Sequence, residues 1–114
     1  RTVPIRMQTS SGCAPRASQP INTGPWIVTD IKDPQNLAVR SYLNGELRQN
    51  GNSQLMIFSI ARLIAHLSAF TTLEPGDLIY SGTPAGVGHL APGDTIIVEI
   101  EGIGTLTNTA VAGE

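Results

Sequence analysis

Hydrophobic and polar side chains alternate along residues 37–49 in the pattern of two paired β-strands. One face of an extended run carries the apolar residues Leu37, Val39 and Leu43. The opposite face carries Arg40 and Tyr42. Asn44-Gly45 follows, and both residue types accept the positive φ that a tight turn needs. Residues 46–49 form the return strand, and Asn50-Gly51-Asn52-Ser53 breaks the chain. The pattern therefore predicts a β-hairpin around residue 44.

A helical repeat follows this hairpin. Seven apolar residues recur at spacings of three and four: Met56, Ile57, Ile60, Leu63, Ile64, Leu67 and Phe70. Such spacing places them on one stripe of an α-helix. We expect a helix over residues 54–70, capped by Asn52 or Ser53, with its stripe laid against a sheet.

The other apolar runs are short and bounded by turn residues, as is typical of strands. They cover residues 26–29, 78–80, 95–101 and 105–111. Pro75-Gly76-Asp77 and Pro92-Gly93-Asp94 place Pro and Gly at the two central positions of a type II turn. Gly102-Ile103-Gly104 turns the chain into the last strand. The fold class expected is therefore mainly β with one helix.

Composition bounds the class of protein. A chain of 114 residues suffices for one domain, and its 12 glycines and 8 prolines favour a turn-rich β-fold. The net charge of −2 gives no electrostatic case for nucleic acid or an anionic membrane as partner. Cys13 is the only cysteine, so it forms no intrachain disulfide, and a free thiol is the simplest interpretation. A single cysteine favours a reducing, cytoplasmic setting, and no apolar run approaches the roughly 20 residues of a membrane span.

Residues 1–23 differ from the remainder of the chain. They are polar, show no sustained periodicity, and contain three arginines but no acidic residue, since the first carboxylate is Asp30. We predict an irregular segment here, followed by a domain over residues 24–114. The chain also lacks an initiating Met, which suggests that it begins inside a longer protein or has been processed.

The loop Ser81-Gly82-Thr83-Pro84-Ala85-Gly86-Val87-Gly88 carries the most suggestive chemistry. Two hydroxyl groups stand beside backbone N–H groups, and such a loop can bind a carboxylate or a phosphate. It is neither a P-loop nor a dinucleotide fingerprint, because no Gly-Lys-Ser/Thr follows and the glycines are spaced G-x-x-x-G-x-G. From these residues alone, an anion site and a plain connecting loop both remain open.

Four other polar residues and one tryptophan are candidate site residues. Glu99 and Glu101 alternate onto one strand face, with Cα atoms roughly 7 Å apart, and could bind a hard cation; a solvated outer face is the interpretation we favour. His66 lies outside the apolar stripe of the helix, and His89 follows the glycine loop, where it either reaches a ligand or is simply solvated. Trp26 is expected to be a buried anchor.

Seven motifs occur in an order that resembles the fumarylacetoacetate hydrolase family. They are G-P-W-I-V-T at 24–29, D-P-Q-N-L at 33–37, N-G-E at 44–46, M-I-F-S at 56–59, L-E-P-G-D at 73–77, the loop at 81–88, and G-I-G-T-L at 102–106. The chain is thereby identified as similar to the carboxyl-terminal portion of a family member. Such members include 2-hydroxyhepta-2,4-diene-1,7-dioate isomerase, 5-carboxymethyl-2-hydroxymuconate isomerase and acylpyruvase.

This resemblance implies part of a mixed β-sandwich roll that is usually dimeric. It also implies a Mg²⁺- or Mn²⁺-dependent enzyme that acts on small 2-oxo or enol acids by C–C hydrolysis, decarboxylation or isomerisation. The metal holds the 2-oxo acid and stabilises the enolate. In family members the threonine of the glycine loop contacts the substrate carboxylate, which implies that Gly82 and Thr83 bind substrate here.

The chain departs from the family upstream of its G-P-W motif. The family's metal ligands, an E-x-E pair and a later Asp, belong there, but this chain has no acidic residue before Asp30, and Glu99-x-Glu101 matches the family's terminal strand instead. The family's K-[GS]-F-D-T-F run falls by count on residues 15–20, P-R-A-S-Q-P, where Arg16 cannot give up a proton. A frame disruption upstream of about residue 22 is one hypothesis. We expect no catalytic residue and no metal ligand in this chain.

The leading expectation is thus a fragment of a metal-dependent enzyme that is inactive by itself. The alternatives are a non-catalytic carboxylate-binding or structural module, and an inert gene remnant. The expected partners are a small 2-oxo acid or dicarboxylate and further copies of the chain, because missing strands leave sheet edges unpaired.

Overall fold

The computed structural model describes residues 2–4, 24 and 26–111. Its elements are β1 (Thr2–Pro4), β2 (Trp26–Val28), β3 (Ala38–Leu43), β4 (Glu46–Asn52), a 3₁₀-helix (Ser53–Leu55), α1 (Ile60–Ser68), β5 (Thr95–Ile100) and β6 (Gly104–Thr109). Strands β1 and β2 pair antiparallel, and a four-stranded antiparallel sheet has the order β4-β3-β5-β6. The prediction of a mainly β fold with one α-helix is confirmed.

The hairpin of β3 and β4 follows the predicted turn. Asn44 and Gly45 adopt φ values of 50° and 85°, so both occupy the left-handed region that the tight turn requires. The predicted chain break at residue 50 is wrong, because β4 continues to Asn52 and pairs there with the beginning of β3. Backbone pairing thus outweighs the local turn tendency of the Asn-Gly-Asn sequence.

The register of the sheet gives it two distinct faces. Val39 is paired with Gly51 on β4 and with Ile100 on β5, and Ser41 is paired with Gln49 and Val98. Directly paired residues point to the same side. Val39 and Ile100 line a groove of about 400 Å³ together with helix residues, so this side is the helix-side face. Ser41 and Gln49 are two polar residues on this face.

The helix is shorter than its apolar stripe predicts. It begins at Ile60 rather than residue 54, because the Ser59 side chain caps it by accepting a hydrogen bond from the Arg62 N–H at 3.2 Å. Asn52 caps only the preceding 3₁₀-helix. Ser53 is used otherwise: its Oγ accepts from the Leu37 N–H and donates to the Pro34 carbonyl, both at 2.8 Å. Ile57 therefore leaves the stripe and is 92% exposed.

Two turns in the second half of the chain have matching geometry. Gly76 and Gly93 adopt φ values of 99° and 95°, as the third position of a type II turn requires. In each turn an aspartate side chain accepts a hydrogen bond from the backbone N–H three residues earlier, at 2.8 Å: Asp77 from Glu74, and Asp94 from Ala91. These two predicted turns are confirmed.

Of the strands predicted after these turns, one is absent and two have different bounds. Residues 78–80 form no strand, because no neighbouring strand in the described part of the chain offers them backbone partners. β5 ends at Ile100, so Glu101 lies in the turn that follows. The last strand covers Gly104–Thr109 instead of residues 105–111.

The aminoterminal prediction is corrected at its first residues. Thr2–Pro4 forms a short strand on β2, where an irregular chain was expected. Residues 5–23, with Cys13 and Arg16, lie outside the described residues. Trp26 is not a buried anchor, since 40% of its surface is exposed, although its indole N–H donates to the Ile103 carbonyl at 2.5 Å.

Burial is incomplete throughout the described residues. None of their apolar side chains is buried, and Ser41, at 8% exposure, is the one buried residue among them. The helix faces the sheet across the open groove, whose apolar walls include Leu37, Met56 and Leu63. Among the residues described, no helix has the length and apolar character needed to cross a bilayer.

Asp94 gives the fold a predicted dependence on pH. Hydrogen bonds from the Ala91 N–H and the Asn44 side chain lower the pKa of Asp94, and Arg48 adds a smaller effect. Folding thus favours the ionised carboxylate, whose stabilising contribution is present above the unfolded pKa of about 3.9 and is lost as pH falls through the lower folded pKa. Urea unfolding of the wild type should show a steeper loss of stability below pH 4 than unfolding of Asp94→Asn. Equal losses in the two proteins would contradict this assignment.

Candidate carboxylate-binding site

The glycine-rich loop at residues 81–88 lies against β4. A Cβ at Gly51 would come within 2.9 Å of the Pro84 ring, so the missing side chain lets the loop approach the strand. Gly86 adopts a φ of 110°, and a Cβ there would overlap the backbone carbonyl of Arg48. Two glycines, one on each partner, therefore permit the loop to pack directly on the strand backbone.

Gln49 connects the loop to the sheet. Its Nε2 donates one hydrogen bond to Thr83 Oγ1 at 2.8 Å and one to the Pro84 carbonyl at 2.7 Å. On its other side, Oε1 accepts a hydrogen bond from Ser41 Oγ at 2.8 Å. The amide thus links a buried hydroxyl of the sheet with an exposed hydroxyl of the loop.

The loop leaves several donors available to a ligand. Gly82 and Thr83 are exposed, and the space where a Gly82 side chain would stand is open. Among the hydrogen bonds of the described residues, none uses the backbone N–H groups of Gly82 and Thr83 as donors. Two N–H groups and a hydroxyl next to each other suit an anion such as a carboxylate.

The other polar candidates do not join this site. His66 lies exposed on α1, edge-on to Phe70 with ring centroids 5.1 Å apart. His89 is exposed beyond the loop. Glu99, on β5, stands opposite Arg40 and is half-buried rather than fully solvated. No contact of the described residues connects these side chains with Thr83.

The carboxylates do not fit the divalent cation that the family resemblance implies. Glu99 and Glu101 do not share a strand, and Glu101 Oε2 accepts a hydrogen bond from the Ala38 N–H at 3.3 Å. Within residues 26–111, no three His, Cys, Asp or Glu side chains are grouped so that they could hold a metal ion. A site built from oxygen ligands needs more of them than this arrangement supplies.

Sequence comparison places the chain in a family. The family described as "Fumarylacetoacetate (FAA) hydrolase C-terminal" matches residues 7–111, so the chain belongs to that family. The match includes residues 7–23, although the family motifs found in the sequence begin only at residue 24. The domain boundary at residue 24 stays a prediction.

Individual relatives agree with this placement. The chain is 45% identical over 112 residues to the 4-hydroxyphenylacetate degradation bifunctional isomerase/decarboxylase of Salmonella dublin, covering 96% of this chain and 24% of that one. The crystal structure of 2-hydroxyhepta-2,4-diene-1,7-dioate isomerase from Mycobacterium marinum aligns with a TM-score of 0.74 and 52% identity, over 77% of this chain and 34% of that one. The structure of maleylpyruvate hydrolase from Sphingobium sp. SYK-6, in complex with manganese(II) and pyruvate, aligns with a TM-score of 0.78 and 40% identity. This alignment covers 80% of this chain and 35% of that one. The chain thus spans about a quarter to a third of the length of these relatives.

Two residues of the site escaped the sequence-based prediction. Ser41 interrupts the apolar alternation of Val39 and Leu43, and its cross-strand partner Gln49 is also polar. A polar residue at an apolar position of a strand requires a hydrogen-bonding partner. The pair could have been recognised once the hairpin register around Asn44 was fixed.

Proposed function

We propose that this chain is the carboxyl-terminal portion of a metal-dependent enzyme acting on small 2-oxo or enol acids, and that Gly82 and Thr83 bind the substrate carboxylate. Relatives named isomerase, decarboxylase and hydrolase support the reaction class. A relative with manganese and pyruvate bound supports a metal cofactor and a small-acid substrate for the whole enzyme.

The geometry of Thr83 carries this proposal. Its Oγ1 accepts a hydrogen bond from Gln49, so its own proton remains available for a ligand. The neighbouring N–H groups of Gly82 and Thr83 support the same use, because adjacent donors without a protein acceptor favour an anion. The loop therefore acts as the acid-binding part of a larger active site.

The chain alone binds the acid without transforming it. In the family the Mg²⁺ or Mn²⁺ ligands precede the G-P-W motif, and the carboxylates of residues 26–111 do not replace them.

Self-association and a cytoplasmic location complete the proposal. The two outer strands of the four-stranded sheet, β4 and β6, and the open apolar groove favour contact with further protein.

Variants of Thr83 test the carboxylate site. Thr83→Val should weaken binding of pyruvate by about tenfold or more, because a hydrogen bond to a charged group is lost. Thr83→Ser keeps the hydroxyl and should bind within severalfold of the wild type. Titration of ¹⁵N-labelled protein with pyruvate measures both affinities through the amide shifts of residues 82 and 83. Equal affinity of Thr83→Val and the wild type would refute the assignment.

A further inference from the structure

We propose that Gln49 is a positioning residue that fixes the Thr83 hydroxyl as a hydrogen-bond donor toward the ligand. This inference rests on the proposed role of Thr83 as a carboxylate-binding residue. It adds an element that touches no ligand: the amide of Gln49, held from behind by Ser41, determines which way the Thr83 proton can point.

The orientation of the Gln49 amide follows from the chemistry of its neighbours. The Pro84 carbonyl, 2.7 Å away, can only accept a hydrogen bond, so the NH₂ end of the amide must face the loop. The same nitrogen lies 2.8 Å from Thr83 Oγ1. Since an NH₂ group only donates, Thr83 is the acceptor in that bond.

Ser41 holds the opposite end of the amide. Its Oγ lies 2.8 Å from Gln49 Oε1, which can only accept, so Ser41 donates. Ser41 is the most deeply buried of the described residues, at 8% exposure, and is fixed on the central strand β3. A buried hydroxyl of this kind requires a partner, and with the amide oriented by the Pro84 carbonyl that partner is Gln49 Oε1.

The Thr83 hydroxyl is thereby an acceptor toward Gln49 and a donor toward a ligand. A threonine hydroxyl has a single proton, and Gln49 occupies the acceptor side of the oxygen. The proton therefore does not point at the Gln49 nitrogen, and because Thr83 is exposed it can be donated to a ligand. A carboxylate ligand receives this proton together with the N–H groups of the loop.

A glutamate at position 49 would reverse this arrangement. An ionised carboxylate only accepts, so it would take the Thr83 proton for itself and would face the Pro84 carbonyl without a hydrogen bond. Protonation of the new side chain would restore a donor. Gln49→Glu should therefore bind pyruvate about tenfold or more weakly than the wild type at pH 7, and the ratio of the two affinities should approach one below the ordinary glutamate pKa of about 4.3.

Three further variants separate polarity from mere packing. Gln49→Met has a similar size without hydrogen bonds and should lose affinity at every pH. Ser41→Ala removes only the hydroxyl that anchors the Oε1 end of the amide and should weaken binding by a few-fold. Gln54→Glu adds the same charge at an exposed residue two positions beyond β4 and should bind pyruvate as the wild type does.

The experiment is a ¹⁵N amide titration with pyruvate at pH 7 and near pH 4, with the wild type measured at both. The pH-dependent loss in Gln49→Glu, beside the pH-independent loss in Gln49→Met, supports the proposal. Wild-type affinity in both variants, or a loss in Gln49→Glu that persists at pH 4, overturns it while the wild-type shifts at Gly82 and Thr83 stand. Absence of those shifts in the wild type overturns the proposed function itself, and this inference with it.

Discussion

Replacing Gly86 with alanine is expected to detach the glycine-rich loop from β4 and to weaken pyruvate binding by about tenfold or more. Gly86 has a φ of 110°, which L-residues rarely adopt, and its new Cβ would overlap the Arg48 carbonyl. The backbone strain alone is of the order of 1–3 kcal/mol. The overlap adds to it, because a strand backbone cannot move aside as a flexible side chain can. The loop would leave its place and take the Thr83 hydroxyl away from Gln49.

Gly88→Ala is the matched control for this variant. A Cβ at Gly88 meets no atom within 4 Å, and this glycine is not among those with positive φ. We therefore expect Gly88→Ala to bind pyruvate as the wild type does. Amide spectra report loop attachment through the side-chain NH₂ signals of Gln49. Unchanged signals and affinity in Gly86→Ala would show that the loop does not depend on its contact with Arg48.

The second large effect is an absence of turnover. The isolated chain, supplied with Mg²⁺ or Mn²⁺, should not accelerate the decarboxylation of oxaloacetate or the hydrolysis of an acylpyruvate. The physical reason is that stabilising the enolate requires a bound metal ion, and the carboxylates of the described residues form no cluster for one. Release of pyruvate, measured against the same metal and substrate without protein, gives the rate.

The result of this assay also separates the possible classes of protein. Metal-dependent turnover by the isolated chain would contradict the proposed inactivity. Binding of pyruvate that is independent of metal, with no turnover, is the expected outcome for the acid-binding portion of an enzyme. A chain that neither binds nor turns over any of these acids would be the inert remnant of a gene.

Local sequence signals predicted the parts of the fold that local chemistry determines. The hairpin turn at Asn44-Gly45 and the two Pro-Gly-Asp turns depend on backbone conformations that those few residues favour by themselves, and all three have the predicted φ values. The alternation along β3 was equally reliable, because each residue of this central strand is held on both sides.

Predictions failed where partners distant in sequence decide the outcome. The run at residues 78–80 is apolar enough for a strand, but no strand lies beside it in the described structure. The helix was extended too far because Ser59, inside the apolar stripe, provides a better start than Asn52. Asn50 and Gly51 stay extended because β3 pairs with them. For residues 78–80 and for Asn50 and Gly51 the deciding partner lies outside the segment, whereas the Ser59 cap lies within it and was a local signal.

Part of the candidate site could be proposed from the sequence, and its role in binding stays a prediction. Gly82 and Thr83 were identified through the family resemblance, while their residues alone left a plain connecting loop open. Gln49, which contacts the loop from 34 positions away, escaped notice because hydrophobic patterns assign no role to a polar residue on a return strand. The buried Ser41 was the one available signal.

The most direct test is a titration of the wild-type chain with pyruvate in buffer that contains a metal chelator, followed by amide shifts. We predict saturable shifts at Gly82 and Thr83 without any divalent cation, and no additional tight site when Mn²⁺ replaces the chelator. Shifts that require Mn²⁺, or Mn²⁺ bound tightly by side chains of a single copy, would contradict the account.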